Sequence, residues 1–101
     1  MSEELENEII DLEEFSKHNR KPPRHRRYRI KVDRQKFVVN EECLTGKEIL
    51  QLAGKNPPEQ FQLRQKIRGG EVIKIGLGDK VDFTKPGIEK FMTIPLDQTE
   101  G

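Results

Sequence analysis

Residues 28–54 read YRIKVDRQKFVVNEECLTGKEILQLAG, and this stretch decides the fold. Tyr28, Ile30 and Val32 alternate with Arg29 and Lys31, the period-two pattern of a strand with one dry and one wet face. Asp33 to Gln35 predicts a tight turn, and Lys36 to Asn40, carrying Phe37, Val38 and Val39, returns as the second strand of a hairpin. Thr45 and Glu48 then stand at capping-box spacing. The hydroxyl of such a pair accepts from an orphan helix amide, and the carboxylate reaches back to the amide of the cap residue. Ile49, Leu50 and Leu52 supply the apolar stripe of the helix, and Gly54 after Ala53 supplies a left-handed stop. Cys43, just ahead of the cap, reads as a small, semi-buried apolar group.

Toward the C-terminus, Asn56, Pro57 and Pro58 form the helix exit, and Phe61, Leu63 and Ile67 mark a third strand. Gly69 and Gly70 turn the chain into a short apolar segment of Val72, Ile73 and Ile75. Gly76, Gly78 and Asp79 turn it again. Val81 and Phe83 are too few for a long strand, and Pro86 with Gly87 precedes a final strand from Ile88 to Pro95. Hairpin, helix, then strands within about 70 residues is an economical way to bury two apolar faces. The pattern predicts an α+β fold of β-grasp type, a mixed sheet wrapped around one main helix.

Strand parity assigns Tyr28, Ile30, Val32, Phe37 and Val39 to the core and turns Val38 outward; in the final strand either Met92 with Ile94 or Phe91 with Thr93 faces outward, and the reading taken is Phe91 inward with Met92 and Ile94 outward. A bulge in the last strand would reverse its parity. Arg64 and Arg68 flank the outward residues. Val38, Arg64, Arg68, Met92 and Ile94 therefore form the candidate partner-binding surface, because exposed apolar groups on a wet sheet face mark interaction sites.

The 101 residues allow one domain, with three expected parts: a flexible acidic-then-basic extension over 1–26, the folded unit over 27–96, and a flexible tail over 97–101. Residues 1–14 hold seven acidic groups and no basic one, after which Lys17, Arg20, Lys21, Arg24, Arg26, Arg27, Arg29 and Lys31 follow without an acid. The two blocks are placed to neutralise one another, the acidic one occupying the basic surface in cis. Leu5, Ile9, Leu12 and Phe15 would line one side of a helix before Pro22 and Pro23 end it. Two readings stand: a disordered tail, or a helix that forms against a partner or against its own domain.

No apolar run approaches the roughly 18 residues of a membrane span, and no basic-then-apolar leader suggests secretion. One cysteine cannot build an intrachain disulfide framework and fits a reducing compartment, so the expected location is the cytoplasm. Cys43, His18 and His25 lack the paired spacing of a zinc site, and no metal is expected. Gly76 and Gly78 lack the lysine and hydroxyl residue of a phosphate loop. The basic run is a candidate for phosphate contacts, but the one tyrosine beside it points inward; nucleic acid is not the expected partner. No catalytic constellation emerges, and the chain reads as a non-enzyme.

Residues 28–95 resemble the bacterial ubiquitin-like domain called multiubiquitin. The resemblance rests on the Tyr28 to Val32 strand, the Leu44-Thr45-Gly46-Lys47-Glu48-Ile49-Leu50 helix entry and the Leu52-Ala53-Gly54 exit. Val81-Asp82-Phe83 and the run from Gly87 through Phe91 to Pro95 complete it. It implies a modifier attached through its C-terminus to a target amine. Implied partners are an E1-like activating enzyme, an E2-like conjugating enzyme and a JAB-type metalloprotease, with an unidentified target, in operons some of which serve antiphage defence. No cofactor is expected on this chain; ATP and magnesium would belong to the E1-like partner.

Gly101 is then the conjugation terminus, its missing Cβ leaving both faces of the carbonyl open to attack. Leu96, Asp97, Gln98, Thr99 and Glu100 would be the tail that partner enzymes recognise. Glu100 stands where modifiers often carry a second glycine, so a dedicated activating partner is expected. A sulfur carrier forming a C-terminal thiocarboxylate and a non-catalytic binding adaptor are the alternative readings.

Overall fold

The structure is a computed structural model that describes residues 9–24 and 27–96. Eight strands and two helices follow in order: β1 (Ile10–Asp11), α1 (Leu12–Lys17), β2 (Tyr28–Val32), β3 (Gln35–Val39), β4 (Cys43–Thr45), α2 (Gly46–Leu52), β5 (Phe61–Ile67), β6 (Val72–Ile75), β7 (Lys80–Asp82) and β8 (Ile88–Pro95). A single 3-10 turn, Pro58–Gln60, leads from α2 into β5.

The main sheet runs β3-β2-β8-β5-β6, with β8 parallel to β2 and antiparallel to β5. β4 and β7 form a separate antiparallel pair, Leu44 opposite Val81. This mixed sheet, with α2 crossing over one face, is the β-grasp expected from the sequence.

Each element follows from local chemistry. The hairpin turns at Asp33, whose φ of 57° lies in the left-handed region that short polar side chains tolerate. The Thr45 hydroxyl accepts from the Glu48 amide at 3.1 Å and the Glu48 carboxylate accepts from the Thr45 amide at 2.8 Å, completing the capping box. Two further amides of that helix start, on Gly46 and Lys47, donate to the carbonyls of Asp79 and Leu77, both at 3.0 Å. A Cβ on Gly46 would collide with the carbonyl of Gly76, so only glycine lets the loop approach this closely. α2 is thereby fastened to the 76–79 loop.

Tyr28, Phe83 and Phe91 are wholly buried with Ile49 and Leu50, and the Tyr28 and Phe83 rings lie 5.8 Å apart. Ile88 and Phe91 are both buried although they stand three positions apart on one strand, an odd spacing that regular alternation would place on opposite faces. A register shift opposite Lys66 and Ile67 leaves Glu89 as an extra residue and reconciles the two. Because it lies ahead of Phe91, the parity of the last residues stands: Phe91 inward, Met92 and Ile94 outward.

Three readings are corrected. Cys43 is exposed, because the apolar face of β4 is Leu44's and not its own. Leu52 is 37 % exposed, because the buried stripe of α2 runs through Ile49 and Leu50 to Ala53. Phe37 is half-buried at the margin of the core.

The N-terminal extension carries two elements of the fold. β1 pairs parallel with β2, Ile10 beside Tyr28 and Asp11 beside Arg29. Since β3 occupies one edge of β2 along its whole length, β1 must share the other edge with β8, which meets β2 at Val32 and Phe91. Ile10 and Leu12 are each 2 % exposed, and α1 packs against β8 and β2. The helix opens at Leu12, not further upstream, because the Asp11 carboxylate accepts from the amides of Glu13 and Glu14 and caps it. Leu5, His25 and Arg26 lie outside the described residues, as do residues 97–101. Replacing Leu12 by alanine is expected to lower the unfolding free energy by about 2–5 kcal/mol in urea titration. A loss below about 0.5 kcal/mol would show that this segment is an appendage.

Candidate partner surface and C-terminal exit

The five residues of the expected partner surface, three outward by parity and two arginines flanking them, fall in three places. Arg64 stands directly across from Met92, and Gln62 from Ile94, on the face of β5 and β8 opposite the core. The Arg64 Nε donates to the Gln62 Oε1 at 2.7 Å, holding the guanidinium along this face. Ile94 is 38 % exposed. Arg64, Met92 and Ile94 therefore share one patch.

Val38 is 44 % exposed but sits on β3 opposite Arg29, at the far end of the sheet. There it borders a groove of about 490 Å³ whose other wall carries Leu44 and Leu52. Arg68 lies beyond the end of β5, its amide donating to the Gly87 carbonyl at 2.8 Å. It stands at the end of β5 remote from Ile94, since Gln62 pairs with Ile94 and Ile67 with Ile88.

The exit of the chain is built from the end of β8. Asp33 ties the hairpin turn to it: the carboxylate accepts from the Thr93 amide at 2.9 Å and the Thr93 hydroxyl at 2.7 Å, while the Asp33 amide donates to the Phe91 carbonyl at 2.8 Å. One residue past the strand, the Leu96 amide donates to the Gln60 carbonyl at 2.8 Å. Its side chain lines a hollow of about 200 Å³ with Phe61, Ile75 and Leu77. Asp97, Gln98, Thr99, Glu100 and Gly101 lie outside the described residues.

The opposed charge blocks meet on the outward face of the hairpin. Lys36 Nζ lies 2.9 Å from an Asp11 carboxylate oxygen and 3.3 Å from one of Glu13; Arg29 reaches Asp11 at 3.5 Å and Lys31 reaches Glu13 at 3.7 Å. Arg24 pairs with Glu42 at 3.1 Å. Burial favours the neutral acid at Asp11. The hydrogen bond and charge of Lys36, with the amides of Glu14 and Glu13, outweigh it and hold the carboxyl below its ordinary range. The Asp11 hydrogen bond correspondingly raises Lys36. Asp82 is lowered by the hydroxyl and amide of Thr84. This pairing takes up much of the basic face that sequence reasoning weighed for anions.

Among the described residues no group of three His, Cys, Asp or Glu side chains is placed to hold a metal, and no helix is long and apolar enough to cross a membrane.

The Multiubiquitin family matches residues 28–95, two thirds of the chain, from the first residue of β2 to the last of β8. No curated protein and no solved structure matches.

The ionic clamp has a definite pH window. Asp11, depressed in the folded chain, contributes stability that is present above its unfolded value and lost as pH falls through the folded one. Lys36, raised, contributes stability that is present below its unfolded value and lost as pH rises through the folded one. The stability difference between the natural chain and Lys36→Ala, read by thermal unfolding, is therefore expected to be largest between about pH 5 and 10 and to shrink below about pH 4. An undiminished difference at about pH 3 would exclude Asp11 as the partner that matters.

Proposed function

The chain belongs to the Multiubiquitin family of ubiquitin-like modifiers, whose members are not enzymes, and on that premise we propose that it is conjugated to a target amine through the carboxylate of Gly101. The observation that carries this reading is the family match itself. It ends at Pro95, where β8 hands the chain directly to the residues leading to Gly101.

The chemistry asks for a nucleophilic carboxylate and a protein body that enzymes can grip. The Gly101 carboxylate attacks the α-phosphate of ATP bound with magnesium by an E1-like partner, forming an acyl-adenylate and releasing pyrophosphate. A cysteine thiolate of the enzyme displaces AMP to give a thioester. An E2-like enzyme takes over the acyl group on its own cysteine, and a lysine amine of the target releases that thiolate as the amide forms. Hydrolysis by a JAB-type metalloprotease would reverse the link. ATP and magnesium would be bound by the activating partner for the adenylation step, and not by this chain.

This chain contributes position. The Asp33–Thr93 ties and the Leu96–Gln60 bond hold the end of β8 to the hairpin and to the start of β5, so the residues after Leu96 leave from a fixed point. Arg64, Met92 and Ile94, close to that exit, form the surface an activating enzyme would grip; Leu96, 40 % exposed, is the first side-chain anchor of the tail. Residues 97–100 are the segment it would thread. Cytoplasmic action and a role in antiphage defence belong to the same proposal.

The test is incubation of the chain, and of a form lacking Gly101, with ATP, magnesium and the E1-like and E2-like proteins encoded beside it, followed by intact mass with and without reductant. A Gly101-dependent, reductant-sensitive adduct on an enzyme cysteine is expected. No adduct with enzymes of demonstrated activity would favour a binding adaptor, and a thiocarboxylate without conjugates would favour a sulfur carrier; either overturns the reading.

A further inference from the structure

We infer that the open edge of β6 is a strand-accepting site for an extended segment of a partner protein in which apolar and acidic residues alternate. It is separate from the Gly101 chemistry and meets the patch of Arg64, Met92 and Ile94 only at Arg64, which lies between Lys74 and Met92.

The hairpin fixes which backbone groups are open. Ile67 donates to the Glu71 carbonyl and Gly70 donates to the Ile67 carbonyl, both at 2.9 Å, and Gln65 and Leu63 then pair with Ile73 and Ile75. In an antiparallel ladder bonded pairs alternate along the strand, so Ile73 and Ile75 bond to β5 while Val72 and Lys74 turn their N–H and C=O groups away from it. No strand pairs with that side of β6 among the described residues.

Edge strands are ordinarily guarded by charge, proline or a bulge. β6 has one charge, Lys74, and exposes apolar side chains on both faces: Val72 is 45 % and Ile73 38 % exposed. Beneath the edge, on the core side, lies a groove of about 410 Å³ lined by Ile67, Ile73, Ile75 and Ile88, with Lys80 and Lys85. The carboxylate in its wall, Asp82, already accepts from the Thr84 amide and hydroxyl at 2.9 and 2.6 Å. On the opposite face Lys74 stands across from Arg64. Cations thus border the edge on both sides.

An added strand would bond to the Val72 and Lys74 backbone. One set of its side chains would enter the isoleucine groove, and the alternate set would lie beside Lys74 and Arg64. Apolar residues suit the first and carboxylates the second, with further acids flanking toward Lys80 and Lys85. That pattern is the chemistry of the occupant.

The experiment titrates the full ¹⁵N-labelled chain with a capped octapeptide of alternating valine and glutamate, and with its valine–lysine counterpart. The glutamate peptide is expected to shift the amides of residues 72–75, to slow hydrogen exchange at Val72 and Lys74, and to bind at least about tenfold more tightly than the lysine peptide. Val72→Pro removes an outward N–H without breaking the β5 ladder, and should abolish binding while β2 and β8 keep their chemical shifts. The variant Lys74→Glu, which reverses the cation beside the peptide's glutamates, should weaken the preference for the acidic peptide. Absence of shifts at β6 in millimolar peptide, or equal binding of the two peptides, would overturn the proposal. So would shifts that grow with protein concentration alone, since the occupant would then be a second copy.

Discussion

Everything in this structure depends on the backbone of β2 being paired along both edges. Tyr28, Ile30 and Val32 are all but fully buried, and a strand in that position cannot leave N–H and C=O groups without partners. β3 completes one edge. The other is divided, with β8 at the Val32 end and β1 at the Tyr28 end. From that division follow both the ordering of residues 10–17 and the position of the β8 terminus.

The same division links the two ends of the fold. At the Val32 end, Asp33 and Thr93 lock the hairpin turn to the strand from which the chain departs. At the Tyr28 end, Ile10 and Leu12 bring their own apolar surface into the common core, while Asp11 and Glu13 reach the cations of the hairpin's wet face. Exposed ion pairs of this kind contribute little singly. Burial of Ile10 and Leu12 is the stronger term, and the ionic contacts accompany it on the opposite face.

Much of the fold was legible. The alternation from Tyr28 to Val32, the Thr45–Glu48 spacing and the run from Ile88 to Pro95 each encode a local structure that tertiary packing then used. The placement of residues 10–17 was not legible, because a strand of two residues gives no periodicity, and the helical spacing of Leu5, Ile9, Leu12 and Phe15 masks the break that Asp11 introduces. Cys43 and Leu52 were misplaced for a related reason: short elements carry too few residues for parity or a stripe to decide between faces. Of the candidate surface, Met92 and Ile94 share a face because one strand's parity orders them, and Arg64 joins them through the pairing of β5 with β8. Val38 and Arg68 did not, since their distance from that patch depends on strand order and register, which no single segment encodes. The open edge of β6 was hidden in the same way; Val72, Ile73 and Ile75 read as an apolar segment, and only the sheet order shows that nothing among the described residues pairs beyond it.

The most direct measurement is a set of nuclear Overhauser contacts and amide exchange rates on the natural chain near neutral pH. Contacts between Ile10 and Tyr28, together with slow exchange of the Ile10 amide, which donates to the Arg27 carbonyl at 3.1 Å, are the result this account predicts. Random-coil shifts across residues 10–17, with contacts from the Tyr28 end of β2 to β8 in their place, would contradict it.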